Sequence, residues 1–183
     1  MKQVILERYA ETYDHKLVIA ITTDKAEDLY NDFDKHTPYQ RKDLDQDFAD
    51  YLIDSASDLR NHEFIIQFHF ASLASYELQS RIRTSIHSYF QYLIGLEKRE
   101  LSRMHRTSFI LFSIGFLILF ISAWVNQKVI AYESVIIHVL AEGLVVAAWV
   151  SLWNAIANFL INWPPHKRQI KLYERICKAD ILF

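Results

Sequence analysis

His138 and Glu142 are two ionisable side chains within an otherwise apolar stretch of the sequence, residues 134–153. A spacing of four places both on one face of a helix, one turn apart. A histidine and a carboxylic acid in this arrangement could relay protons or hold helices together by hydrogen bonds. Because ionisable groups are costly within an apolar span, this pair is the first candidate for a functional or interface role.

Two hypotheses account for this pair. In the one we favour, Glu142 makes a polar contact with Ser122, in the preceding apolar segment, or with the same residues of a second copy of the chain. In the alternative, His138 and Glu142 form a proton-sensitive pair that lines the pore of an ion-conducting oligomer. The contact hypothesis is favoured because two spans can enclose a pore only when several copies associate.

Three asparagines spaced by four follow the pair: Asn154, Asn158 and Asn162. At about 100° per residue they form a polar face opposite to His138 and Glu142. This face could line a polar passage or bind lipid headgroups, but we favour the interpretation that the helix leaves the bilayer here. Two tryptophans lie on the other side, with the His138 and Glu142 pair: Trp149 and Trp153.

Two further histidines, His69 and His87, could face one another across the core of the N-terminal part of the chain. With Ser85 or Tyr89 beside them they would suggest a membrane-anchored hydrolase. No nucleophile elbow, HExxH sequence or glycine-rich phosphate loop accompanies them in the sequence. We therefore expect a polar structural role for both histidines and place catalysis third among the functions considered. No catalytic residue, metal site or cofactor is predicted.

An acidic predicted helix, residues 43–58, raises the question of calcium binding. An EF-hand loop needs glycine at its sixth position and glutamate at its twelfth. Counted from the first aspartate of this helix, those positions hold Phe48 and Asp54. Acidic residues at the start of a helix ordinarily interact with the helix dipole. Residues 24–63 contain twelve acidic and five basic residues, so we expect helix 43–58 to avoid anionic lipid or to engage a basic protein partner.

Two apolar segments must carry the intramembrane residues. Residues 107–125 contain no charged residue and no proline, and residues 134–153 are apolar apart from the histidine and glutamate already described. A helix of about 20 residues is long enough to cross the hydrocarbon core of a bilayer. The sequence therefore predicts a transmembrane helix at 107–125, a periplasmic turn at 126–133, and a second transmembrane helix with an interfacial extension at 134–161.

Basic residues indicate the orientation of this hairpin. They flank the apolar segments on one side: Lys98, Arg99, Arg103, Arg106, Lys167, Arg168, Lys171, Arg175 and Lys178. The connecting turn contains only Lys128. Because basic residues near spans remain on the cytoplasmic side, both termini are predicted to be cytoplasmic. We expect a multi-pass membrane protein, surrounded by the lipid bilayer and forming a homo-oligomer through the face of His138 and Glu142.

The residues before the first span suffice for one small domain. The sequence predicts a mixed α/β (α+β) cytoplasmic domain over residues 1–106, with two or three strands and three helices. The predicted strands are residues 16–23 and 63–70, with a third at 2–9, and the predicted helices begin at Asp24, Asp43 and Ser75. The last helix has no stop before the first span, so it should continue into the membrane as a stalk.

The C-terminal residues, 162–183, combine basic and apolar side chains with the spacing of an amphipathic helix. We expect a cytoplasmic tail that lies on the inner membrane surface or docks on the domain. The net charge of −2 and the lack of a basic patch with interleaved aromatic residues argue against nucleic-acid binding. A single cysteine, Cys177, cannot form an internal disulfide.

The order of these features resembles a family of uncharacterised bacterial inner-membrane proteins that have a small cytoplasmic domain followed by two spans. Matching segments occur along most of the chain: DLDQDFADYLIDSA (43–56), the strand with His69, SIHSYF (85–90), EGLVVAAWVSLW (142–153), NWPP (162–165) and LYERI (172–176). Family members have an arginine–proline pair after the second tryptophan and an acidic residue near position 158, where this chain has Asn154, Ala155 and Asn158. The resemblance implies the architecture and an inner-membrane location but no activity.

Overall fold

The computed structural model describes residues 7–12, 14–31, 38, 43–71, 75–129 and 135–183. The described chain is a mixed α/β protein with a four-stranded sheet and two long apolar helices. It divides into two compact units. The α/β unit comprises residues 1–96 and 169–183, and the apolar unit comprises residues 97–168. The apolar unit is therefore an insertion in the chain of the α/β unit.

The sheet contains four strands in the order in which they occur along the chain: β1 Ala10–Glu11, β2 Leu17–Thr23, β3 Phe64–Phe70 and β4 Asp180–Leu182. β1 is antiparallel to β2, whereas β2, β3 and β4 are parallel. The two central strands match the predicted ones closely, because each is a run of β-branched and aromatic residues. The predicted number of strands is too low, since the last three-residue strand comes from the C-terminus and pairs with β3.

The predicted strand at residues 2–9 is not found in the part that the structure describes. Residues 1–6 lie outside the described residues, and Glu7 to Tyr9 form a turn and bend. The antiparallel partner of β2 is instead β1, with Ala10 opposite Val18. Among the described residues, the strand that pairs with β2 at this edge thus begins later in the chain than the predicted one.

Helices account for most of the remaining described chain: a 3₁₀ turn at Ala26–Leu29, α1 Gln46–Asp58, α2 Tyr76–Val129, α3 Val135–Ala157, a π-helical turn at Asn158–Asn162, and α4 Trp163–Lys178. The helix predicted from Asp24 is only the 3₁₀ turn among the described residues. Asp45 caps α1, because its carboxylate accepts a hydrogen bond of 3.2 Å from the Phe48 amide. As predicted, α2 continues without interruption through Gly95.

The core of the α/β unit is built from large apolar side chains on both sides of the sheet. Three consecutive residues are buried at the start of each central strand, Leu17 to Ile19 and Phe64 to Ile66. Consecutive burial means that both faces are covered, as is usual for parallel strands. Helices contribute further buried side chains: Leu52 from α1, Ile82, Ile86 and Phe90 from α2, and Ile170, Tyr173 and Ile176 from α4.

The C-terminal segment is therefore an integral part of this unit. Three side chains of α4 are buried, and β4 adds a parallel strand to the sheet. Lys16 binds Asp180 at 3.1 Å, joining the start of β2 to the start of β4. Of the two locations expected for the tail, docking on the domain is the one consistent with these contacts.

Candidate functional site

A row of small residues forms the interface between α2 and α3 in the apolar unit. We call it the small-residue seam and define it by Gly115 and Ser122 on α2 and Ala141, Ala148 and Ala155 on α3, all buried. On each helix the members are seven residues apart, the repeat that keeps one face against a partner helix. Small side chains let two helices approach closely without a hydrophobic driving force between them.

Gly115 is the tightest position of the seam. A methyl group there would lie 2.9 Å from Cγ of Leu152 and 3.2 Å from the carbonyl oxygen of Ala148. Both distances are shorter than ordinary contacts, so a larger residue would push the helices apart. By contrast, a methyl group at Gly143 would meet nothing within 4 Å. Only one of these two glycines is required by the packing of α2 on α3.

Two serine hydroxyl groups connect the helices across the seam. Ser122 Oγ donates to the Ala141 carbonyl oxygen at 3.2 Å, and Ser151 Oγ donates to the Leu111 carbonyl oxygen at 2.8 Å. These bonds place residue 111 near residue 151 and residue 122 near residue 141, so the two helices run antiparallel. Each hydroxyl is satisfied by a backbone carbonyl, as expected for polar groups in an apolar environment.

Large apolar side chains cover the outside of this unit. Phe109 is 73% exposed, Phe120 is 75% exposed and Trp153 is 68% exposed. In the most apolar part of each long helix, only 11% of the residues are buried within the protein. Both helices are long and apolar enough to cross a membrane. Such a large continuous apolar surface is unusual for a protein surrounded by water.

His138 and Glu142 lie on this outer surface, next to the seam. Glu142 directly follows the buried Ala141, and both ionisable side chains are exposed. Neither has a hydrogen bond or an ion pair with another residue in the described part of the chain. The Ser122 hydroxyl, which was considered as a partner for Glu142, donates to the Ala141 carbonyl. Trp149 and Trp153 extend the same exposed flank of α3. We call His138 and Glu142 the polar flank pair.

The three predicted asparagines lie at the end of α3 and in the π-helical turn. Asn162 Nδ2 donates to Asn158 Oδ1 at 2.8 Å, while Asn154 is exposed on the last turns of α3. A π-helical turn contains one more residue than an α-helical turn. The prediction that the three asparagines share one face assumed about 100° per residue, and the π-helical turn changes this angle.

A histidine–glutamate contact and an aromatic cluster lie at the end of the apolar unit that carries the basic residues. Nδ1 of His166 lies 2.6 Å from Oε2 of Glu97, and both side chains are partly buried. The ring of His105 lies 5.9 Å from that of Phe159 and 6.1 Å from that of Trp163, between centroids. The sequence alone suggested none of these contacts. Their polar and aromatic groups are those expected at a membrane interface.

The other two predicted histidines do not meet in the core of the α/β unit. His69 on β3 and His87 on α2 are both exposed, whereas the neighbouring Phe68 and Ile86 are buried. Ser85 Oγ donates to the Arg81 carbonyl and accepts a hydrogen bond of 3.1 Å from the Tyr30 hydroxyl. No group of three metal-binding side chains occurs among the described residues. Among the described residues, His69 and His87 are therefore not brought together in a buried site.

The acidic residues of α1 lie on its exposed face. Asp47, Asp50 and Asp54 are exposed along the helix. Asp58, also exposed, accepts a hydrogen bond of 3.3 Å from the Tyr9 hydroxyl. The buried side of α1 consists of small and apolar residues, Leu52 and Ala56 among them. α1 is thus amphipathic, with its carboxylates on the outer side.

Arg175 was predicted only as one of several basic residues of a tail, but the structure gives it a specific structural role. Its guanidinium donates to the carbonyl oxygens of Ala56 at 3.2 Å and His62 at 2.7 Å, and it lies 5.1 Å from the centre of the Phe64 ring. Burial lowers the pKa of this guanidinium from its ordinary value. The sequence offered one indication that this side chain is partly buried, since Arg175 directly precedes Ile176, an apolar and buried residue of α4.

No family model matches this chain, and no curated protein or solved structure is significantly similar to it. The resemblance noted from the sequence therefore assigns no residue roles here, and the geometry of the two units has to support any function on its own.

Proposed function

We propose that the protein is a two-span protein of the bacterial inner membrane that self-associates through the polar flank pair, with its α/β unit in the cytoplasm as a sensing, recruiting or scaffold module. The observation that carries this proposal is the outer surface of the apolar unit. Most of its large apolar side chains are exposed, whereas the small residues of the seam are buried together with Leu152, as suits helices that have hydrocarbon around them.

Self-association follows from the position of the polar flank pair. A histidine and a glutamate on an outward apolar face would meet hydrocarbon if the chain were alone in the bilayer. Ionisable residues within spans almost always face other protein or water. A second copy of the same chain would supply a histidine and a glutamate of its own, so that each pair could satisfy the other. The exposed Trp149 and Trp153 would extend such an interface.

The orientation is supported by the distribution of basic residues. The α/β unit, with both chain ends, continues into the apolar unit at the end where most of the basic residues are concentrated. Since basic residues near spans stay in the cytoplasm, this end would face the cell interior. The acidic surface of α1 would then be repelled by anionic lipid headgroups and would remain open to a basic protein partner.

The proposal is tested by measuring the mass of the full-length protein extracted in nanodiscs. We expect an oligomer of the wild-type chain and a shift towards monomer for Glu142→Leu, because loss of an interhelical hydrogen bond in a membrane weakens association by about 1–2 kcal/mol. Glu142→Gln should have a smaller effect, because an amide can still form hydrogen bonds. Val139→Leu, at another exposed position of α3, is the matched control. A monomeric wild-type protein would refute the self-association.

A pore is the second candidate function, since the exposed polar flank pair could line a channel between several copies. The discriminating measurement is the conductance of the reconstituted wild-type protein. Conductance that disappears in Glu142→Leu but persists in Val139→Leu would favour the pore. An oligomer without conductance would support the contact role alone.

A further inference from the structure

A groove of about 700 Å³ opens between the two helices of the apolar unit, at the end that carries the basic residues. Phe109 and Phe112 of α2 form one wall, and Ile156 of α3 and Phe159 of the π-helical turn form the other. The groove has the size of a site for a small organic molecule. Its depth is apolar, so only the apolar part of a ligand would be favourable there.

Basic groups occupy one end of the groove. His105 and Arg106 line it one turn before Phe109, and the exposed Arg103 and Arg99 precede them on α2. On α4, outside the lining of the groove, Lys167 Nζ lies 4.9 Å from the centre of the Trp163 ring. A ligand that fills the groove would therefore place its apolar part among phenylalanines and its other end beside His105 and the Arg106 guanidinium.

Beside the groove, the backbone after α3 departs from regular α-helical geometry. The seam ends at Ala155, and the π-helical turn Asn158–Asn162 begins three residues later. An inserted residue widens a helix locally, and such turns within α-helices occur frequently at functional sites. Phe159, in this turn, forms part of the groove wall. The groove thus lies beside a π-helical turn, where the regular α-helical geometry is interrupted.

We propose that this groove binds an anionic phospholipid of the inner leaflet, with an acyl chain along the phenylalanine wall and the phosphate at Arg106 and His105. This inference rests on the proposed location of the two helices in the membrane. Charge complementarity selects the occupant: basic pockets between transmembrane helices on the cytoplasmic side suit phosphate-containing headgroups. A planar, bidentate guanidinium donor is well matched to phosphate oxygens.

The test is native mass spectrometry of the full-length protein released from nanodiscs made of equal parts of phosphatidylglycerol and phosphatidylcholine with identical acyl chains. We expect the wild-type protein to retain phosphatidylglycerol preferentially. Arg106→Gln should reduce this preference about fivefold, the effect of removing one basic residue near the headgroups. Ile156→Trp should reduce retention of both lipids, because the larger side chain fills the groove.

Two control variants distinguish lipid binding in the groove from a general attraction of anionic lipid to the basic residues. Arg99→Gln removes a positive charge that does not line the groove, and Val146→Trp enlarges an exposed apolar residue elsewhere on α3. Both should retain lipid as the wild type does. Equal retention of the two lipids by the wild-type protein, or equal effects of Arg99→Gln and Arg106→Gln, would overturn the inference. Carbonate extraction of the same membranes tests the proposed location separately: a chain that stays in the membrane without lipid preference refutes the lipid site alone.

Discussion

The two units of this protein pack their side chains in opposite ways. In the α/β unit, large residues such as Phe68 and Phe90 are buried, and the exposed acidic face of α1 contacts solvent. In the apolar unit, the buried positions among the described residues are the five small residues of the seam and Leu152, and large residues such as Phe120 are exposed. The hydrophobic effect explains the first arrangement. The second arrangement suits helices with apolar surroundings, in keeping with two helices that are long and apolar enough to cross a membrane.

The same substitution on one helix tests this contrast most directly. Phe90 and Phe120 both belong to α2, but Phe90 is fully buried beside Tyr173 and Phe120 is 75% exposed. We expect Phe90→Ala to lower the free energy of unfolding by about 3–5 kcal/mol, because it leaves a cavity. Phe120→Ala should change it by about 0.5 kcal/mol or less. Denaturant unfolding in detergent, followed by circular dichroism, gives both values. Similar losses for the two variants would contradict the contrast.

Arg175 provides the next largest expected effect, within the α/β unit. Arg175→Ala removes two charge-assisted hydrogen bonds and leaves the Ala56 and His62 carbonyls without this donor. We expect a loss of about 2–3 kcal/mol in the free energy of unfolding. Faster amide hydrogen exchange in α4 and β4 should accompany this loss. Lys171→Ala is the control, because Lys171 is exposed on the same helix. If Lys171→Ala were equally destabilising, the interactions of the guanidinium would not be the cause.

A pair of glycine variants probes the seam of the apolar unit. Gly115→Ala should destabilise the packing of α2 on α3 by about 1–3 kcal/mol, because the added methyl group lies too close to Leu152 and the Ala148 carbonyl. Gly143→Ala meets no such obstacle, and alanine favours the helix by about 1 kcal/mol. Cysteine crosslinking between positions 122 and 141 would report the helix contact in membranes. Unchanged crosslinking in Gly115→Ala would show that the seam tolerates a wider separation.

The two units also differ in how far their structures follow from the sequence. The central strands were predictable from continuous β-branched runs, and the uninterrupted α2 from the lack of a breaker before the first apolar segment. β4 was missed because Asp180–Leu182 is too short to show a pattern and is paired with a strand more than a hundred residues earlier. The sequence predicted the apolar helices but not the face by which they contact each other.

The site residues show the same limit. His138 and Glu142 stand out in the sequence because ionisable residues are rare in apolar runs, but the sequence could not show that they lie outside the helix contact. A sequence signal for the seam exists, because small residues are spaced by seven within each apolar segment: Gly115 and Ser122 in the first, and Ala141, Ala148 and Ala155 in the second. Other small residues are frequent in the same segments, so this spacing alone does not select the contact face. Arg175 depends on non-local carbonyl groups, and no local pattern predicts such partners.

The smallest expected effect is a pH dependence of the stability of the α/β unit, caused by the thiol of Cys177. Burial and the nearby Glu174 raise the pKa of the Cys177 thiol to about 11, and Sγ lies 3.9 Å from the His87 carbonyl. The thiol of the unfolded chain ionises near pH 8.5, so between that pH and pH 11 the folded state binds more protons than the unfolded state. Stability should therefore be unaffected by this group below pH 8 and should fall as the pH rises through this window.

The loss attributable to Cys177 should be about 1 kcal/mol at pH 10.5, reduced from the full linkage value because the thiol is partly exposed to solvent. The measurement compares the unfolding free energies of the wild-type protein and Cys177→Ala at pH 7.5 and pH 10.5. The comparison is necessary because burial also raises the pKa of Tyr89, which contributes in the same direction in both proteins. A difference between the two proteins that stays constant with pH would mean that Cys177 titrates alike in the folded and unfolded chains, and hence that α4 leaves this side chain in contact with water.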